Sequence, residues 1–113
     1  MKKRDQILIQ NNYLNIFINC NVYKKDDFYI GFVPSLKITS KSILSEEDAL
    51  IQMKNILKKY FEVISINEQT LQSELERLGW KNLNPPETVT IPVEFLYSKF
   101  NMQKIEFALP IAA

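Results

Sequence analysis

The sequence predicts an α+β fold, in which a small antiparallel sheet carries one long amphipathic helix on one face. Residues 13–23 alternate between apolar and polar side chains, which is the pattern of a half-buried strand. Residues 45–64 space their apolar side chains by three and four, which is the pattern of an amphipathic helix. A sheet with one apolar face needs a cover, and a helix laid across that face provides it.

Three strands are predicted before the helix, which gives a β-β-β-α core. The first covers residues 13–23. Its apolar face comprises Leu14, Ile16, Ile18, Cys20 and Val22. A short polar turn at residues 24–27 leads to a second strand at residues 28–33, so these two strands are expected to form a hairpin. Pro34 ends the second strand because it has no amide to donate, and residues 36–41 are expected to form a short third strand near an edge.

Two helices follow the strands. Ser45 is a good N-cap, and Asp48 three residues later completes a variant of the capping box at the start of the long helix. A second, shorter helix is expected to be capped by Thr70 and to end at Gly79, which can take the left-handed conformation of a C′ residue. Trp80 comes directly after that glycine and is expected to fold back on the helix.

The rest of the chain is predicted to be a strand-rich extension covering residues 84–113. Asn84-Pro85-Pro86 breaks the preceding structure. Strands are expected at residues 88–93 and 105–109, with a helical turn at residues 95–100 between them. The length of 113 residues fits one domain, whose core is expected to span residues 13–80.

The composition argues against several classes of function. A formal net charge of +1 gives no basic field for nucleic acid, and two glycines leave no material for a phosphate-binding loop. The chain has no His and one Cys, which we interpret as a core residue. We therefore expect no catalytic residues, no metal and no other cofactor. No apolar run approaches the length of a bilayer span, so we predict a cytoplasmic protein that makes no membrane contact.

A hydrolase that works through carboxylates is a weaker alternative. Metal-dependent nuclease chemistry needs several acidic side chains that converge from strands and a helix. The predicted strands between residues 13 and 33 contain no Asp or Glu, because Asp26 and Asp27 fall in the turn. Glu46, Glu47 and Asp48 are explained by capping and by the helix dipole.

Three short stretches resemble the HicB-like antitoxin family. Val33-Pro34-Ser35-Leu36, directly after an aromatic strand, resembles the family's Val-Pro-Asp-Leu-like step. Ser45-Glu46-Glu47-Asp48-Ala49 resembles its Thr-x-Glu-Glu-Ala-like helix start, and residues 71–80 resemble a helix-to-Gly-Trp extension. The match covers residues 14–80. Lys37-Ile38 and Ile43 stand where the family often carries glycine, so the turn into the helix is expected to differ in shape.

The resemblance implies a degenerate RNase-H-like fold without a nuclease site. It also implies a non-enzymatic protein that neutralises a small RNA-cleaving toxin, HicA, by direct contact. Many members carry a C-terminal DNA-binding module, which we do not expect here because the tail has no second helix and a balanced charge. The candidate partner surface comprises Pro34, Ser35, Leu36, Lys37, Ile38 and Thr39.

The alternative function is that of an orphan domain that self-assembles and has no toxin partner. An apolar terminal strand needs a partner in its own sheet or in a neighbour's sheet, and Trp is enriched at interfaces. We therefore predict a homo-oligomer, either a dimer or a tetramer. The candidate oligomer interface comprises Trp80, Ile105, Phe107 and Leu109.

Overall fold

The computed structural model describes residues 4–87 and 100–111. Five strands and two helices lie in these ranges: β1 (Gln6–Gln10), β2 (Tyr13–Lys25), β3 (Phe28–Val33), β4 (Ile38–Ser42), α1 (Glu46–Ile64), α2 (Glu68–Arg77) and β5 (Phe100–Pro110). The strands form one antiparallel sheet. The predicted α+β class, with its β-β-β-α core, is confirmed. Strand β1 was not predicted.

Strand β2 lies at the centre of the sheet. Strand β5 pairs with it from Tyr13↔Pro110 to Tyr23↔Phe100 and so occupies residues 13–23 of one edge. Strand β1 pairs with residues 13–17 of β2, and β3 pairs with residues 21–25. Because a strand has only two edges, β1 and β3 share the second edge end to end. Strand β4 then extends the sheet beyond β3.

The first hairpin explains why β1 was missed. Asn11 and Asn12, between the paired Gln10 and Tyr13, have φ angles of 54° and 65°. Two successive positive φ angles are those of a type I′ turn, which suits the right-handed twist of a hairpin. Asn tolerates this conformation better than most residues do. In the sequence, these polar residues interrupt the apolar segment, and the interruption is a two-residue hairpin turn.

Helix α1 covers the face of the sheet that carries the predicted apolar side chains of β2. Ala49, Met53, Leu57 and Phe61 lie on the covering side of α1 and are buried. The helix approaches closely at Gly31, where an added Cβ would lie 2.6 Å from Ser40 Oγ. Ser40 Oγ in turn donates a hydrogen bond to the carbonyl oxygen of Ala49, at 2.8 Å. Gly31 therefore leaves room for a side chain that ties β4 to the first turn of α1.

The N-terminal caps of the helices match the prediction in one case only. Ser45 Oγ accepts a hydrogen bond from Asp48 N at 3.0 Å, as predicted for α1. In α2 the cap is Asn67, whose Oδ1 accepts from Thr70 N at 2.8 Å. The prediction that Thr70 caps α2 is therefore wrong. Both residue types are good caps. The helix begins at Glu68, three residues earlier than a cap at Thr70 would place it.

The C-terminus of α2 confirms the predicted role of Gly79. Its φ is 97°, and its N–H donates to the carbonyl oxygen of Glu76 at 3.0 Å. Trp80 N donates to the carbonyl oxygen of Leu75 at 2.9 Å. These two bonds form a Schellman motif, which turns the indole of Trp80 back into the core.

The C-terminal extension contains a strand, as predicted. It is longer than residues 105–109, because β5 begins at Phe100. Phe100 therefore belongs to a strand and not to the predicted helical turn. The rest of that turn and the predicted strand at residues 88–93 lie outside the described residues. Within the described ranges, no helix has both the length and the apolar character required to cross a membrane.

Candidate functional site

Asp5 fills a gap along the shared edge of β2. The pairing of β1 with β2 ends at Phe17 and that of β3 begins at Asn21, so neither of these two strands pairs with the backbone of Asn19. Asp5 Oδ1 accepts hydrogen bonds from Asn19 N at 2.8 Å and from Asn19 Nδ2 at 2.7 Å. Asp5 Oδ2 accepts a third bond, from Ser35 Oγ. A carboxylate thus satisfies a backbone donor that would otherwise lack a partner.

Ser35 connects this gap to the end of α2. While its hydroxyl donates to Asp5, its carbonyl oxygen accepts a hydrogen bond from Trp80 Nε1 at 2.8 Å. The side chain of Trp80 is 1% exposed. Lys37 is the last residue of the loop between β3 and β4, and its backbone has the left-handed conformation, with a φ of 57°. The loop is therefore held by Asp5, which precedes β1, and by Trp80, which follows α2.

A cleft of about 220 Å³ opens beside this network. Asp5, Asn19 and Ser35 line its polar side, and Asn21 lies among them. Asn21 is 7% exposed, and its Oδ1 is buried without a hydrogen-bond partner in the described structure. A buried acceptor without a partner costs about 1–3 kcal/mol. The cleft therefore combines a carboxylate that accepts three hydrogen bonds, that of Asp5, with one amide oxygen that has no partner in the described structure, that of Asn21.

Cys20 is the only thiol in the chain, and it lies in the core as predicted. Burial raises the pKa of this thiol to about 12. At neutral pH the thiol therefore stays protonated, and a protonated thiol is a poor nucleophile and a poor metal ligand. Among the described residues, no three side chains of the types His, Cys, Asp and Glu come close enough together to hold a metal ion.

The predicted partner residues fall into three groups by exposure. Lys37 and Thr39 are exposed, Pro34 and Ile38 are half-buried, and Ser35 and Leu36 are buried. Pro34 and Ser35 line the cleft. The structure therefore leaves Lys37 and Thr39 as the side chains of this set that a partner can reach freely.

Two strongly exposed aliphatic residues follow β4, and they are not among the predicted partner residues. Ile43 and Leu44 are 71% and 72% exposed. They lie between the last residue of β4 and the N-cap Ser45, outside both the strand alternation and the helical stripe. That position in the sequence is the signal that could have identified them. We call Lys37, Thr39, Lys41, Ile43 and Leu44 the β4 surface.

The loop that carries the two aliphatic residues is held by Asp48. Asp48 Oδ2 accepts hydrogen bonds from Ser42 Oγ at 2.6 Å and from Gln52 Nε2 at 2.7 Å. These bonds lower the pKa of Asp48, and the bond from Ser42 has the larger effect. Ser42 Oγ also accepts a hydrogen bond from Leu44 N at 2.9 Å. The loop is thus connected to the first turn of α1.

A groove of about 390 Å³ runs along this loop. Its apolar side is formed by Phe28, Ile43 and Leu44. Lys41 Nζ lies 3.7 Å from the centroid of the Phe28 ring, which is a cation–π contact. Within the residues that the structure describes, β4 pairs only with β3, so no described strand pairs with its outer edge.

The four candidate oligomer residues face the interior of the chain. Trp80 and Ile105 are buried, and Phe107 and Leu109 are half-buried against the core. The rings of Phe107 and Phe61 meet edge to face, with centroids 6.2 Å apart. Because β5 pairs with β2 of its own sheet, these side chains already have partners. An interface at β5 would have to use the outer edge of the strand.

Comparisons of the chain with protein-family models, with curated proteins and with solved structures find no match. The resemblance to the HicB-like antitoxins therefore rests on the motifs at residues 33–36 and 45–49 and on the order of the strands and the helix.

Proposed function

We propose that the chain is a non-enzymatic binding protein, an antitoxin of the HicB-like kind that neutralises a HicA-type RNA-cleaving toxin by direct contact. The observation that supports this proposal is the β4 surface. It combines a strand edge that lacks a partner among the described residues with two adjacent, strongly exposed aliphatic side chains. Contiguous exposed apolar residues with a polar rim are typical of protein interaction sites.

The β4 surface suits a partner that adds an extended segment to the sheet. The backbone groups on the outer edge of β4 would pair with that segment, and the groove beside Phe28 would take an apolar side chain of the partner. Ile43 and Leu44 would form the apolar centre of the contact. Lys37 and Lys41 would form its charged rim. The part of the partner that faces this rim should therefore carry acidic or neutral side chains, even if the partner as a whole is basic.

The loop is held in place before binding, which lowers the cost of ordering it in a complex. The hydrogen bonds that connect Asp48, Ser42 and Leu44 fix the path of the backbone next to the exposed residues. Neutralisation by contact requires one antitoxin surface for each toxin and no reacting group. This mechanism is compatible with the protonated thiol of Cys20 and with the role of Asp48 in holding the loop.

Co-expression with the small basic protein encoded by a neighbouring reading frame tests the proposal. We expect the two proteins to purify together at a constant ratio and the chain to restore growth to cells that express the toxin. A neighbour that arrests growth but neither co-purifies with the chain nor is neutralised by it would overturn the proposal. The same experiment with Leu8→Ser, a change at an exposed position of β1 away from the β4 surface, should give the same result as the unaltered chain. It therefore controls for general effects of a surface substitution on folding.

A further inference from the structure

Strand β5 has an outer edge that no strand in the described part of the chain pairs with. The strand is 11 residues long, and its other edge is paired with β2 along its whole length. A long strand edge without a partner presents a row of backbone donors and acceptors, and such an edge is a template for pairing with another chain.

One hydrogen bond shows which residues of β5 point towards this edge. Ile111 N donates to the carbonyl oxygen of Asn12 at 2.9 Å. Because backbone groups alternate along an antiparallel strand, the odd-numbered residues of β5 bond to β2. The backbone groups of the even-numbered residues therefore point outwards. Pro110, which has no N–H, falls in this outward set, where it costs β2 no hydrogen bond.

The outward set carries a self-complementary pattern of side chains. Met102, Lys104, Glu106 and Ala108 are all exposed and lie on the sheet face opposite to α1. Ile105, between the two charged residues, points to the core and is 0% exposed. A positive and a negative residue placed symmetrically about one central residue can pair with the same pattern running in the opposite direction.

We propose that β5 pairs antiparallel with β5 of a second copy of this chain, centred on Ile105. This register sets Lys104 opposite the second copy's Glu106, and by symmetry Glu106 opposite its Lys104. Met102 then lies opposite the second copy's Ala108. Each of these pairs consists of two outward-pointing residues, so each exchanges two backbone hydrogen bonds.

Neighbouring registers are disfavoured by charge. A pair centred on Lys104 sets that lysine opposite its own copy, and a pair centred on Glu106 does the same for the glutamate. Like charges directly opposite each other destabilise a strand pair. A register centred between two residues would set outward-pointing groups against inward-pointing ones and would break the ladder. The register centred on Ile105 is therefore selected by backbone geometry and by charge together.

The resulting dimer has a two-fold axis and joins two five-stranded sheets into one. Strand β4 lies at the far side of each sheet, so the dimer leaves both copies of the β4 surface free. Dimerisation through β5 is consequently independent of the antitoxin proposal. Either one can fail without the other.

Sedimentation equilibrium of the purified chain over a wide range of concentrations tests the dimer. We expect Lys104→Glu and Glu106→Lys each to raise the dimer dissociation constant by at least about tenfold, because each replaces two opposite-charge pairs with two like-charge pairs. We expect the double variant Lys104→Glu/Glu106→Lys to return to nearly the original constant. Lys58→Glu, the same change at an exposed position of α1, should have no effect.

Three results would overturn the proposal: a wild-type chain that sediments as a monomer throughout, single variants with an unchanged constant, or a double variant as weak as the single ones. Backbone hydrogen exchange provides a second measurement that needs no substitution. The amides of Lys104 and Glu106 point outwards, so their exchange should slow as the concentration of the chain rises. Exchange that does not depend on concentration at these two amides would also contradict the dimer.

Discussion

Trp80 Nε1 donates a hydrogen bond to the carbonyl oxygen of Ser35, 2.8 Å away and 45 residues earlier in the chain. This bond joins the residue that follows the C-terminus of α2 to the loop between β3 and β4. Through Ser35 Oγ the same loop is joined to Asp5, which fills the gap between β1 and β3. The loop between β3 and β4 therefore connects the residue before β1 with the end of α2, two parts of the chain that are far apart in sequence.

Replacement of Trp80 by Phe should destabilise the fold. The variant removes the indole donor, leaves the carbonyl oxygen of Ser35 without this bond and leaves a small void, so we expect the free energy of unfolding to fall by about 2–4 kcal/mol. Urea unfolding followed by circular dichroism measures it. Tyr13→Phe, which also removes a polar group from an aromatic residue but at an exposed position, should change it by less than about 0.5 kcal/mol. Equal losses in the two variants would contradict the role of Trp80.

Replacement of Asn21 by Val should stabilise the fold. The side chain is buried and its Oδ1 has no partner in the described structure, so an apolar, β-branched residue removes an unsatisfied acceptor. We expect the free energy of unfolding to rise by about 1 kcal/mol in urea titrations. Asn15→Val lies on the same face of β2 and controls for the strand propensity of valine. If the free energy of unfolding rises equally in the two variants, the strand propensity of valine explains the increase and the buried amide does not.

Lys37 occupies a left-handed backbone position that favours glycine. Its φ is 57°, and this conformation costs a residue with a Cβ about 1 kcal/mol. Lys37→Gly should therefore raise the free energy of unfolding by up to about 1 kcal/mol, less the entropy that glycine adds to the unfolded chain. Thermal unfolding measures the change. The same substitution at Lys41, which lies within β4, should lower the stability instead. A lower free energy of unfolding in both variants would show that the loop does not need the left-handed conformation at Lys37.

Asp48 should make part of the stability of the fold depend on pH. Hydrogen bonds from Ser42 and then Gln52 lower the pKa of this carboxyl from its ordinary value of 3.8. A group whose pKa is lower in the folded state adds stability above its unfolded pKa, and that stability is lost as the pH falls through the folded value. Wild type and Asp48→Asn should therefore differ most near neutral pH and converge in acid. Urea titrations at a series of pH values check this, and a difference that stays constant down to pH values below 3.8 would contradict it.

Ile43→Ser/Leu44→Ser should weaken binding of the proposed toxin partner without unfolding the chain. Apolar residues at the centre of an interface contribute most of its affinity, so we expect the dissociation constant to rise by at least about tenfold. Isothermal titration with the co-purified partner measures it. Ile51→Ser provides the matched control, because Ile51 is an exposed isoleucine (49%) on α1 outside the β4 surface. Unchanged affinity in the double variant would place the contact elsewhere.

Local patterns predicted most of the fold correctly. The alternation from Leu14 to Val22 and the stripe of α1 depend on residues that are close in sequence, and the structure buries the apolar face of β2 and most of the stripe. The exception in the stripe is Ile56, which is 37% exposed. The same local signals misplaced the cap of α2, since Asn67 and Thr70 are both acceptable caps. They also missed β1, because the two asparagines of its hairpin turn look like an interruption of the apolar pattern.

The site was less predictable than the fold. The third strand was predicted at residues 36–41, whereas β4 is Ile38–Ser42, and Leu36 and Lys37 lie in the turn before it. Local patterns also could not tell which side chains of residues 34–39 are buried. Ser35 is buried because Asp5 and Trp80, 30 residues before it and 45 after it, both bind it. Contacts over such separations depend on how the elements pack, and no periodicity encodes them.

The sequence by itself determined the α+β class, the apolar face of β2, the amphipathic helix and its Ser45 cap, because each of these arises from spacing or chemistry within a few residues. The tertiary structure alone decided that β1 and β3 meet on one edge of β2, that Asp5 fills the gap between them, and that β5 pairs with β2 and turns Lys104 and Glu106 outwards. These features depend on pairing between distant segments. Such pairing is set by the competition of whole strands for two edges of β2, and not by any one segment.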